Sequence, residues 1–239
     1  MTQTAPIIQS IEKSVKDVPG WTPIDQLYSL FVLAVSTTGL KGDILELGSW
    51  CGRSAIALGL AARLMKETKV MCVDLFPEKS DWYENKDGSY SFKVTIGDKL
   101  FDAYHEQTVW KEPFERDIVP VYQRNESLLE TFRQCVANQS LDDIVTPFRG
   151  DLALFSKEGP QDFKCKLAFI DGDHSYEAVC GDIARVEKYL VPGGWICFDD
   201  AFSSYEGVNK AISDKIIANP RYSFAQQFTR KFFAARFSG

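Results

Sequence analysis

Two short acidic stretches in the second half of the chain are the first sign of chemistry. Lys166 to Asp171 reads as a buried strand and runs into Asp171-Gly172-Asp173-His174, and Trp195 to Asp199 reads as the next strand and ends on Asp199-Asp200. Parallel neighbours lie about 4.8 Å apart, so Asp171 and the Asp199/Asp200 pair would converge at one end of a sheet. Three carboxylates in one cleft repel unless something positive sits among them. A hard divalent cation with oxygen ligands, Mg²⁺ inside a cell, answers that most simply. The competing readings are helix capping or direct contact with a cationic ligand. His174 stands three positions past a candidate ligand and is a candidate proton acceptor, with Asp173 as its competitor. The plain alternative is a structural histidine.

A second stretch, Asp43-Ile-Leu-Glu-Leu-Gly-Ser-Trp-Cys-Gly-Arg-Ser54, has the form of a strand, a glycine turn and the start of a helix. Glycines at such a turn let the backbone approach a ligand, and the first turn of the following helix offers unpaired N–H groups to an anion. An ordinary glycine-containing turn gives the same spacing. Lys69 to Leu75 is the next buried run, and Asp74 near its end follows Gly52 by about the twenty residues that separate a glycine turn from a ribose-binding acid.

These residues require elements to hold them. A helix is expected within residues 1–20, where Ile7, Ile8, Ile11 and Val15 stand at near-helical spacing before Pro19-Gly20. Another runs from a Thr22 cap, with Pro23 in its first turn, to about Val35. Ala55 to Met65 is the helix after the glycine turn. Ile144 to Gly150 is a third strand ending at Asp151, Ser175 to Leu190 and Tyr205 to Ala218 are helices, and Pro192-Gly193-Gly194 marks a turn before the fifth strand. Phe224 to Thr229 and Phe232 to Phe237, separated by Arg230-Lys231, fit a terminal antiparallel pair. Phe76 to about Leu141 is too long for a simple crossover. Its aromatics include Trp82, Trp110 and Tyr104, and it holds the second histidine, His105. This stretch reads as a lid-like insertion over the site, with a helix from about Ser127 to Asn138; peripheral packing is the alternative. The whole predicts one domain of α/β class: a Rossmann-like, doubly wound, mostly parallel sheet with a C-terminal antiparallel pair, N-terminal helices over residues 1–40 and the insertion over 76–141.

Composition sets the boundaries. With 239 residues, 45% of them hydrophobic, the chain is globular, and its net charge of −6 without a Lys/Arg run argues against nucleic-acid or anionic-membrane partners. The six cysteines include no C-x-x-C pair, which disfavours zinc. Cys51, Cys72, Cys165 and Cys197 read as buried thiols beside strands. No leader pattern and no membrane-spanning run is visible, so the expected location is cytoplasmic; a homo-oligomer stays open.

Together these residues resemble class I S-adenosylmethionine-dependent methyltransferases. Leu45 to Ser54 is similar to the first motif of the metal-dependent catechol-type O-methyltransferases, and Phe169 to Tyr176 followed by Gly193 to Asp200 looks more like the macrocin/mycinamicin sugar O-methyltransferase group. The resemblance spans roughly Trp21 to Gln226 and leaves the insertion unmatched. It implies that Glu46, Gly48 and Ser54 border the methionine end of the cofactor, that Asp74 holds the ribose hydroxyls, and that Asp151 lies by the adenine. It also implies that Asp171, Asp199 and Asp200 bind the metal, with His174 or Asp173 as base. The catechol-type enzymes carry lysine where His174 stands, so that analogy does not assign the base. The expected activity is methyl transfer to a hydroxyl of a small molecule of sugar or natural-product type. Alternatives are a nicotinamide-dependent oxidoreductase, whose G-x-G-x-x-G spacing is absent, and a non-enzymatic cofactor-binding protein. The Asn/Asp-Pro-Pro-Tyr motif of base methylation is also missing.

Overall fold

The computed structural model describes residues 7–102 and 108–239; Tyr104 and His105 lie outside them. Helices α1 (Ile7–Val15) and α2 (Ile24–Ser36) precede β1 (Asp43–Leu47). The expected Thr22 cap does not form: Pro23 occupies the cap position, without a side-chain hydrogen bond. Helix α3 (Arg53–Arg63) begins directly after Gly52, earlier than expected, and β2 (Val70–Asp74) follows.

The insertion contains more structure than the single expected helix. It builds a separate antiparallel sheet from β3 (Trp82–Glu84), β4 (Tyr90–Ile96) and β5 (Lys99–Asp102). After it come α4 (Lys111–Pro113), a π-helical turn (Phe114–Ile118), α5 (Val119–Arg124) and the expected helix, α6 (Leu128–Ala137), capped by Ser127. Then follow β6 (Val145–Arg149), an unforeseen α7 (Leu152–Glu158), β7 (Cys165–Ile170), α8 (Tyr176–Val186) and β8 (Leu190–Phe198). Helix α9 (Glu206–Ile212) extends into a π-helical turn (Ser213–Ile217), and β9 (Tyr222–Gln227) and β10 (Phe233–Phe237) complete the sheet.

The main sheet has the order β6-β2-β1-β7-β8-β10-β9. The first five strands are parallel, and β10 and β9 pair antiparallel, as expected. Strand β8 starts five residues before Trp195: the register jumps from Cys165↔Leu190 to Leu167↔Trp195, which leaves Pro192-Gly193-Gly194 outside the pairing. Both sheet faces are covered. Ile44 joins the core under α2 and α3, whereas Leu45 and Leu47 join the core under α8 and α9. That two-sided burial is why β1 reads as an unbroken apolar run. Cys51, Cys72, Cys165 and Cys197 are buried free thiols. Among the described residues no helix is long and apolar enough to cross a membrane.

Order reverses between β1 and β7, whose carboxyl ends therefore open a crevice. Both chemical stretches lie at that crevice.

Candidate active site

The glycine turn is fixed by its own backbone. Gly48 has φ +81°, and a Cβ there would stand 1.9 Å from the Asp171 carbonyl oxygen, so no side chain fits. Asp74 holds the other side of the turn: its Oδ2 accepts from the Ser49 and Trp50 amides (2.7 and 2.9 Å) and its Oδ1 from the Phe76 amide (2.6 Å). A carboxylate has about four acceptor positions, so roughly one is left for a ligand hydroxyl. Gly52, φ +89°, passes 3.1 Å (as a notional Cβ) from the Phe132 ring of the insertion. At the end of β1 Glu46 is fully buried. Ser49 Oγ donates to its Oε2 at 2.5 Å, and its Oε1 has no hydrogen-bond partner. Burial raises its carboxyl to about 7. Ser54, buried in the first turn of α3, adjoins that carboxyl.

Arg53, unremarked in the sequence beyond its place in the motif, ties the N-terminal helices to this turn. Its guanidinium donates to the carbonyls of Val15 (2.6 Å), Val18 (3.2 Å) and Thr22 (3.0 Å). Val15 ends α1, so the cation also meets the negative end of that helix. Trp50 packs between Trp21 (5.5 Å) and Tyr122 of the insertion (6.3 Å). Beside them is a cavity of about 230 Å³ lined by Trp21, Arg116, Val121 and Arg124.

The acidic cluster forms as expected. Asp171 leaves β7 with its amide on the Leu47 carbonyl (2.9 Å), and the Asp199 amide bonds the Ile170 carbonyl (3.0 Å). One oxygen from each of Asp171, Asp199 and Asp200 lies within 4.8 Å of the others. Asp200 adopts φ +53°, a left-handed conformation that costs a non-glycine residue about 1 kcal/mol. Burial first, then the charges of Asp199 and Asp200, push the Asp171 carboxyl well above the usual range.

The positive group within the cluster is Lys231. Its Nζ is 3.0 Å from Asp199 Oδ2 and 3.2 Å from Asp200 Oδ1. Burial would lower this ammonium, but the three carboxylates outweigh it and raise it to about 12; it stays charged. The register explains the placement: Phe233 faces Phe198 across the β8–β10 ladder, so two residues further on Lys231 comes opposite Asp200, and the Ala201 amide bonds the Lys231 carbonyl at 2.9 Å.

His174 Nε2 is 3.1 Å from Asp200 Oδ2, and its ring stacks on Tyr205 with centroids 3.9 Å apart. Its Nδ1 is buried and unpartnered. Burial would raise Asp200, yet His174 and Lys231 hold it below the usual carboxylate range. Asp173 Oδ1 accepts the Ser175 amide at 2.7 Å, shaping the entry to α8. Asp151 caps α7 through the Leu154 amide (2.7 Å) and meets Lys99 of β5 at 3.1 Å. Thus Glu46, Gly48, Ser54 and Asp74 gather at the β1/β2 ends, and Asp171, Asp199, Asp200 and His174 at the β7/β8 ends. Asp151 stands further out, past β6.

A family model described as a methyltransferase domain matches residues 45–201. Among solved structures, the O-methyltransferase NovP is 17% identical and covers 97% of this chain and 88% of its own, with a TM-score of 0.61. An O-methyltransferase from Bacillus cereus in complex with SAH is 14% identical over 99% of this chain and 93% of its own, TM-score 0.56. CalS11, a TDP-rhamnose 3'-O-methyltransferase of calicheamicin biosynthesis, is 14% identical over 100% and 98%, TM-score 0.56. An uncharacterized protein of Acanthamoeba polyphaga mimivirus is 40% identical over 55 residues, a match spanning 20% of this chain and 24% of that protein.

Proposed function

The chain belongs to the methyltransferase-domain family, and on that premise we propose that it is an S-adenosylmethionine-dependent O-methyltransferase acting on a hydroxyl of a small molecule, of sugar or natural-product type. The observation that carries this reading is the junction of the glycine turn with the acidic cluster, since Asp171 bonds the β1 end by its amide and abuts Gly48 by its carbonyl. The SAH-bound and sugar-methylating neighbours support the cofactor and acceptor class.

The residues suit both groups. Glu46 Oε1, buried without a donor, fits a ligand ammonium, and the start of α3 fits a carboxylate. Asp74 keeps an acceptor position for ribose, and Asp151 borders the adenine end. Asp171, Asp199 and Asp200 present an all-oxygen set suited to Mg²⁺. When bound, the cofactor supplies an electrophilic methyl and the cation makes the acceptor hydroxyl more acidic. His174 takes the hydroxyl proton at Nδ1: with Nε2–H given to Asp200, the buried Nδ1 is left without a protein partner, and Asp200 stabilises the imidazolium that forms. In methyl transfer the C–O bond would form as the bond to the cofactor's sulfonium breaks, and the hydroxyl proton would be held on His174. Asp173 is the less suited base because Oδ1 already serves Ser175. The insertion borders the acceptor, next to the Trp21–Trp50–Tyr122 contact.

Titration calorimetry tests this. Micromolar binding of S-adenosylhomocysteine is expected, undiminished by chelator, while chelator abolishes turnover. Binding of NAD in its place would overturn the reading.

A further inference from the structure

The two carboxylates nearest Lys231, those of Asp199 (Oδ2) and Asp200 (Oδ1), belong to the same three-residue set that suits a divalent cation. An ammonium 3.0 and 3.2 Å from oxygens of two of the three carboxylates opposes a dication entering among them, because like charges a few ångströms apart in a buried site repel. Lys231 is also the one lysine or arginine among the described residues that is ion-paired with this cluster, and its side chain is 16% exposed. Its backbone is held by the Ala201 amide, whereas the ammonium is carried on a flexible four-carbon stem. Asp171, meanwhile, has no hydrogen bond to its carboxyl among the described residues and keeps its place in the cluster.

We propose that Lys231 is a tethered counter-ion: it occupies the cluster in the metal-free protein, holds Asp199 and Asp200 in their ligand positions, and is displaced when the divalent cation enters. The inference rests on the metal reading of this cluster. It makes metal affinity a competition in which the internal cation sets the threshold. If the paired state holds nine-tenths of the metal-free population, the apparent affinity is reduced about tenfold.

The test is titration of Mn²⁺ alone into wild type, Lys231→Met and Lys231→Arg, with thermal unfolding followed in parallel. Lys231→Met is expected to bind Mn²⁺ about tenfold more tightly than wild type and to unfold at lower temperature without metal, with saturating Mn²⁺ restoring the difference. Lys231→Arg, which keeps a cation, is expected to bind no more tightly than wild type, and it carries the test if Lys231→Met folds poorly. Equal or weaker binding by a folded Lys231→Met overturns the competition while leaving the metal site standing. No Mn²⁺ binding by any of the three, with S-adenosylhomocysteine still bound, overturns the metal reading and the competition with it.

Discussion

The glycine turn and the acidic cluster lie at the ends of adjacent strands, yet they treat buried carboxylates in opposite ways. At the turn, Asp74 is answered by three backbone amides within its own neighbourhood, groups that need no side-chain ordering and do not titrate. In the cluster, three carboxylates share one lysine, which arrives from β10 on a flexible stem. The first region is built before any ligand arrives; the second carries excess negative charge that an incoming cation would complete. A pocket for an invariant cofactor tolerates rigidity, whereas a reacting centre benefits from a charge that can be exchanged.

The sharpest way to break that contrast is at two glycines. Gly48→Ala forces a Cβ to 1.9 Å of a backbone oxygen at positive φ, while Gly172→Ala, in the cluster loop, meets nothing within 4 Å. Urea unfolding should show Gly48→Ala destabilised by about 4 kcal/mol or more and Gly172→Ala within about 1 kcal/mol. Similar losses at both would mean the turn is no more rigidly built than the cluster.

A smaller effect is expected at His174. His174→Ala should lower kcat by about 100- to 10,000-fold at saturating metal, with S-adenosylhomocysteine affinity within about threefold, because the side chain touches the cluster and not the turn. Unchanged turnover would hand the proton to Asp173 or water.

The mildest test is pH. Burial raises Glu46 from 4.5 to about 7, so the folded state holds that proton more tightly than the unfolded chain. Its contribution is fully present below about pH 4.5 and is lost as pH rises through about 7, a span worth at most about 3 kcal/mol. Wild type should therefore lose stability relative to Glu46→Gln between pH 5 and 8, read from unfolding midpoints, and cofactor affinity should rise over the same range as the carboxylate forms. Parallel profiles for the two proteins would show that Glu46 does not titrate there.

Much of this arrangement was legible in the chain because it depends on local runs. Strand–turn–helix at Asp43 to Arg63, and the carboxylates at strand ends, follow from apolar runs that stop at Gly or Asp. The rest depends on partners distant in sequence. Lys231 looked like a turn residue until the β8–β10 register placed it opposite Asp200. The β4 strand did carry a signal, Tyr90, Phe92, Val94 and Ile96 alternating with polar residues, whereas its neighbours β3 and β5, three and four residues long, are too short to show one. Helix α7 is seven residues long, too short for a period to show. Asp151 offered only its position at a strand end, whereas its cap and its pairing with Lys99 depend on the fold.

The separate β3–β5 sheet has a consequence for how this enzyme can diversify. Its buried apolar residues, Val94 and Phe101, belong to neither of the two cores that sandwich the main sheet, and Trp82, packed against the first core and bonded to Tyr122, is its tie to it. Lengthening a connection is entropically mild, about 0.6 kcal/mol per doubling, so the main sheet feels little of what is written between Tyr83 and Asp102. Residues 83–102 would serve as a cassette: a module that recombination or a protein engineer can exchange to vary the wall proposed to face the acceptor, while Trp82 and the helices α5 and α6, whose Tyr122 and Phe132 are set into the first core, remain as its fixed frame.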